Sequence, residues 1–299
     1  KDQILPFFNC LTNLDLTARM NIPFNENVHS LNLHYFKNFV ASCVQNWTTD
    51  EENKVLTLVN SAYKLCNLVS PELVPKNWNF IKTSGEEEGG AYYVRDNNIV
   101  IPQGKIDYHF QEKSENGFLK IIIHETFHVF SRNNPEKREK LYQLIGFNKI
   151  NNLNLGHILN QRRITNPDAP DYHYRLNVNY QRKDIDTIPF VYSKYPAHNA
   201  DISGFFSYVE FSLFEIEQIN DHWEVKTNPN GIPEAIEPEN TSGFFEQVGR
   251  NTNYLIHPEE IIADNVMLLA LSKGDKALIN SLDNYGIFLL EQIEKILQS

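Results

Sequence analysis

Cysteines are few, no long apolar run occurs, basic residues do not cluster, and nothing resembling a leader opens this chain of 299 residues. Each absence removes a class of protein. Cys10, Cys43 and Cys66 show neither a CxxC pair nor a metal-binding spacing, which excludes a disulfide-stapled scaffold and a cysteine-ligated zinc module. One bridge could form and leave an odd thiol; buried reduced cysteines are the expectation, because free cysteine behaves as a small hydrophobe. No apolar stretch approaches the roughly 20 residues of a membrane span, so none is expected. Lys and Arg total 27 against 38 Asp and Glu, a net charge of −11. With no basic run or RNA-type aromatic-glycine motif to create a local exception, a nucleic-acid partner is not expected. The chain opens at Lys1 with no charged n-region, apolar h-region or cleavage site. A removed signal peptide, and hence a secreted or periplasmic bacterial protein, is the expectation, with a cytoplasmic one the alternative. No repeat or low-complexity tract is visible, and nothing sets an oligomeric state.

What is present centres on Ile121-Ile-Ile-His124-Glu125-Thr-Phe-His128-Val-Phe130, which contains an HExxH. On a helix, residues four apart stand one turn above each other, so His124 and His128 can offer two imidazole nitrogens to one metal ion with Glu125 beside them. Zinc accepts neutral imidazole, and a catalytic zinc keeps three protein ligands plus a water whose pKa falls to about 7. Glu125 is then the base that takes the water's proton as it attacks a carbonyl. A chance match is the bland alternative, and the context argues against it. Leu119, Ile122, Ile123, Phe127, Val129 and Phe130 fill a broad apolar arc, while Lys120, His124, His128 and Ser131 share the remaining side with Glu125 at its edge. Such a helix is expected to line a cleft.

Two histidines leave a catalytic zinc incomplete, and the best third ligand lies far downstream in Tyr254-Leu-Ile-His257-Pro258-Glu259-Glu260-Ile-Ile-Ala-Asp264-Asn265. Pro258 suits a first helical position, Glu259 and Glu260 a first turn, and Ile261, Ile262, Val266, Leu268 and Leu269 an apolar side. Gly274 is a plausible stop. Glu260 and Asp264 are one turn apart, so one helix can present a carboxylate to the metal and another to orient a ligating histidine. The plain alternative is a pair of acidic residues stabilised by the helix dipole. Tyr254 or His257 could donate to the oxyanion formed during attack, or serve as packing and as a helix cap. His157, His173 and His198 lie between the two metal helices; each alone fits a surface or hydrogen-bonded histidine better than a ligand.

His124-Glu-Thr-Phe-His128 followed by Glu260-Ile-Ile-Ala-Asp264 resembles the gluzincin class of zinc metallopeptidases, whose pattern is HExxH with a distal ExxxD. The resemblance implies that His124, His128 and Glu260 bind zinc, that Glu125 is the catalytic base, and that Asp264 orients the first histidine. It is not to the metzincins, since Val-Phe-Ser-Arg-Asn-Asn-Pro after His128 supplies no glycine or third histidine where their pattern needs one. More loosely, HVFSRNNPEKREKLYQLIGF, ITNPDAP and NTNYLIHPEEIIADN resemble a bacterial set with this type of active site, which carries no substrate information.

Periodicity around these motifs predicts an α+β fold. Helices are expected at 30–46 and at 49–69, the latter capped by Thr48 or Thr49, with Pro71 and Pro75 ending the unit. A strand at 79–83 and a hairpin at 89–102, turning at Asp96-Asn97-Asn98, precede the HExxH helix. The hairpin could be an edge for an extended peptide or simply close a small sheet. A short helix at 135–145 ends at Gly146. Alternating stretches then point to a β-rich insert at about 165–227, a loop at 228–238, the third-ligand helix, and a last helix at 275–297. The expected organisation is an N-terminal helical region, 1–75, packed on a catalytic region, 76–299. The expected activity is hydrolysis of peptide bonds in a peptide or protein substrate with Zn2+ as cofactor. Cleavage of a non-peptide amide, or a catalytically silent binding protein with structural zinc, are the rivals; Glu125 speaks against the second, as a structural site has no use for a base.

Overall fold

The computed structural model describes residues 5–111 and 115–299 and has an α+β fold. By contact the chain forms two compact units, each interrupted in sequence. One comprises residues up to Asn38, Tyr142–Val248 and Leu255–Pro258; the other comprises Phe39–Leu141, Gly249–Tyr254 and the residues from Glu259 on.

The first unit is built on a seven-stranded sheet. Its centre is the antiparallel run Tyr174–Tyr180, Lys183–Ser193 and Val209–Ile219, the expected β-rich insert. Side chains alternate across the sheet. Ile188, Phe190 and Tyr192 therefore join Ile150, Leu159 and Phe214 in one buried cluster, while Val191 joins Ala18, Ile164, Phe205 and Tyr208 in another. Ala235–Ile236, inside the stretch expected to be loop, pairs with Leu213 and Phe214 instead. Gly146 follows the helix Pro135–Leu144 at φ +85°, a left-handed conformation that favours glycine at the expected stop. Near the N-terminus, Thr12 and Asp15 form a reciprocal capping box on the helix Asn13–Met20.

The second unit holds the four-stranded sheet, ordered Val44–Gln45, Asn79–Thr83, Asn98–Pro102, Tyr93–Arg95. The hairpin forms as expected, with Asp96 at φ +58° in its turn. At its outer strand, Arg132 donates to the carbonyls of Val94 and Asp96, so part of that edge is already occupied. Two expectations are corrected. The helix begun at His29 stops at Ser42, whose hydroxyl turns back to the Phe39 carbonyl, and Val44–Gln45 pairs with Lys82 and Thr83 as a strand. The expected last helix is broken: Asp283 accepts from the Gly286 N–H and starts a separate helix, Asn284–Gln298, after a 3₁₀ stretch at Lys276–Ser281.

The helix Thr49–Val69 is where sequence predicts, capped by Thr48. Its Glu51 accepts from the Thr48 N–H at 2.8 Å, from the buried Lys82 at 2.8 Å and from Gln103 at 3.0 Å. Burial alone would raise this carboxyl, but these donors outweigh it and lower its pKa to about 2. Glu51 therefore contributes stability that is present above its ordinary value of 4.5 and lost as pH falls through about 2. Glu51→Gln is expected to cost about 2 kcal/mol in urea unfolding near neutrality, a gap that narrows as pH is lowered below 4.5. A gap independent of pH would contradict this.

Candidate metal centre

Two helices of the second unit make the site. In Glu115–Asn133, every residue from Ile121 to Ser131 is buried, so the polar groups on this helix must find partners within the protein. The other helix, Pro258–Gly274, opens with proline at its first position, and Glu259 and Glu260 are 2% and 1% exposed. The Nδ1–H of His124 donates to Asp264 Oδ1 at 2.8 Å, and that of His128 to Glu259 Oε1 at 2.8 Å. Position 124 thus faces 264 while 128 faces 259, which makes the helices antiparallel where they meet. Each imidazole is fixed by one carboxylate, which leaves both Nε2 atoms turned to Glu260.

Those atoms stand 3.2 Å (His124) and 3.4 Å (His128) from Glu260 Oε2. Ligand atoms held tetrahedrally at about 2.0–2.1 Å from zinc are separated by about 3.3–3.4 Å, so the spacing fits that ion. The donor set, two imidazoles and a carboxylate, all buried and within 4.8 Å of one another, also suits it. Among the described residues, His157, His173 and His198 belong to no such group. Burial disfavours an imidazolium at His124, yet Asp264 and Glu260 more than offset it and raise its pKa to about 10. Burial would likewise raise the Glu260 carboxyl, but His128 and His124 hold it well below the carboxylate range.

Glu125 is 1% exposed, and one of its carboxylate oxygens lies within 4.8 Å of a His128 ring nitrogen. Tyr254 is 42% exposed, its ring inclined 27° to that of His124 with centroids 6.3 Å apart, so it is not core packing. His257 is buried, edge-on to Tyr142 and Tyr174.

Several partners of the site carry no signal in a linear reading. Glu259, expected as a first-turn acid, holds His128 and also accepts from Ser131 at 2.7 Å. Thr252 donates its hydroxyl to the outer oxygen of Asp264, so that carboxylate spans Thr252 and His124. Asn251 bridges Asn265 at 2.8 Å and the Gly286 carbonyl at 3.1 Å, and a Cβ on Gly286 would collide with Asn251 Oδ1. Tyr92 meets His124 edge-on at 6.4 Å. If Glu259 and Asp264 fix the imidazoles, Glu259→Gln and Asp264→Asn should each weaken zinc binding by about ten- to a hundredfold with the fold intact. Competition titration with a chromophoric chelator measures this, and unchanged affinity in Glu259→Gln would reduce its role to helix capping.

Comparison with protein-family profiles, with curated proteins and with solved structures finds no match to this chain.

Proposed function

We propose that this protein is a zinc metallopeptidase of gluzincin type, with His124, His128 and Glu260 as metal ligands and Glu125 as general base. The observation that carries the reading is the convergence of both Nε2 atoms on one Glu260 oxygen, at 3.2 and 3.4 Å, while Asp264 and Glu259 hold the Nδ1 atoms. A zinc ion bound there would supply Lewis-acid chemistry, acidifying a water and polarising an amide carbonyl.

The residues do the rest. Glu125 takes a proton from the water as its oxygen bonds to the amide carbon, and gives that proton to the amine nitrogen as the C–N bond breaks. One water is consumed; a carboxylic acid and an amine form, and passage of the acid's proton to the amine leaves a carboxylate and an ammonium. Tyr254 is suited to donate its phenol proton in a hydrogen bond to the carbonyl oxygen as negative charge builds there. Asp264 and Glu259 keep both imidazoles in one tautomer, and Thr252 holds Asp264 in turn.

The test is incubation of the zinc-loaded protein with peptide libraries and unfolded proteins, with Glu125→Gln and chelator-treated protein as controls. Cleavage confined to the zinc-loaded wild type is expected. Its absence under every condition tried would overturn the peptidase reading.

A further inference from the structure

Beside the candidate metal centre, within the same unit, lies a cavity of about 780 Å3 whose wall includes His124 and Asp264. That is inside the roughly 300–1,000 Å3 usual for ligand sites. Its charge runs against that of the chain. Although the net charge is −11, the wall carries Lys105 and Lys120, and among the described residues neither has an acidic partner. The wall's carboxylate, Asp264, is engaged by His124 and Thr252.

Placement sets both residues beside the candidate metal centre. Lys120 precedes His124 by four residues on one helix, so it stands on the same face one turn away, about 5–6 Å along the axis. Lys105 comes from the helix Gln103–Gln111, and its ammonium lies 5.8 Å over the ring of Tyr92, whose ring in turn meets His124. An extended peptide advances about 3.3 Å per residue, so a group about two residues from the scissile bond reaches Lys120. Gly104 in this wall faces open space, where a Cβ built on it meets nothing within 4 Å.

We propose that this cavity selects substrates by a carboxylate bound between Lys105 and Lys120, which makes anionic peptides the preferred class. The proposal rests on the peptidase reading for its link to cleavage, though not for binding. Two sources offer that carboxylate, an acidic side chain or a free C-terminus. Cations in a concave site, with no acidic partner among the described residues, attract either one and repel a basic peptide.

Four fluorescent peptides of one length separate the cases. The first carries glutamates and an amidated C-terminus, the second glutamines and a free C-terminus, the third glutamines and an amidated C-terminus, and the fourth lysines and an amidated C-terminus. Binding is read by fluorescence anisotropy on zinc-loaded Glu125→Gln protein, and kcat/KM on the wild type. The first or the second should bind better than the third, and the fourth worst. Lys105→Glu/Lys120→Glu should weaken the preferred peptide by about ten- to a hundredfold and improve the lysine peptide. A preference for the first identifies an acidic side chain, and for the second the C-terminus. Equal binding of the first three, or an unaltered order in the double variant, overturns the proposal. Ordered binding without cleavage by the wild type leaves the cavity assignment standing and removes the peptidase reading, so the two failures are distinct.

Discussion

Replacing Glu125 with glutamine is expected to lower turnover at least about a hundredfold, the usual scale of a lost general base, while zinc content stays at the wild-type level. The two halves of this result have separate physical sources. Glutamine keeps the volume of the buried glutamate, 1% exposed on a helix buried throughout this stretch, so the packing that holds the site is retained. The proposed ligands are other residues, and their orienting carboxylates, Asp264 and Glu259, come from the other helix. What glutamine lacks is a basic oxygen able to take a proton from water at neutral pH. The loss should therefore fall on kcat more than on KM. Loss of zinc in this variant would make Glu125 a structural partner of the site; retention of both zinc and full turnover would remove it from the chemistry.

Asp15→Ala should destabilise the protein by about 3–5 kcal/mol, the scale of breaking a buried ion pair from one side. Asp15 and Arg19 are paired one helical turn apart with fully buried side chains. Asp15 also accepts from the N–H of Thr165 at 3.0 Å and from its hydroxyl at 2.7 Å, and Arg19 donates to the Thr165 carbonyl. The guanidinium carbon lies 4.7 Å over the ring of Phe205. Truncation of Asp15 removes the carboxylate that the buried Arg19 pairs with and the acceptor of the Thr165 amide. Against a typical total stability of about 5–15 kcal/mol, that loss is large. Adding Arg19→Met should recover part of it, because the uncompensated charge is then gone. Urea unfolding of the two variants measures both, and a cost under about 1 kcal/mol for Asp15→Ala would show that the pair contributes little.

How much of this could be read from the chain follows from which interactions are local. His124, Glu125 and His128 share one helical stretch, and Glu260 and Asp264 another, so spacing alone groups each set. The facing of 124 to 264 and of 128 to 259 depends on how two distant helices meet, and no local pattern encodes it. For that reason Glu259 read as a helix-start acid, and Asn251 and Thr252 carried no reading at all. The same limit explains Val44–Gln45 and Ala235–Ile236. Two-residue strands have no periodicity, and each exists because a longer strand offers it an edge. Two caps that a reading by apolar period passes over have a local spelling. Thr12-x-x-Asp15 is a capping-box sequence, and Asp283, three residues before Gly286, is a cap that interrupts an otherwise continuous apolar pattern. The α+β class and the β-rich insert were legible because long alternating and helical stretches are local properties of the chain.

If His124, His128 and Glu260 together hold one zinc ion, as proposed, elemental analysis after dialysis against metal-free buffer will show it as zinc per chain. About one zinc is predicted for the wild type, and little for His124→Ala, His128→Ala or Glu260→Ala, with circular dichroism confirming that each variant is folded. A wild type that retains no zinc after loading, or a Glu260→Ala variant that keeps full occupancy, would contradict the account.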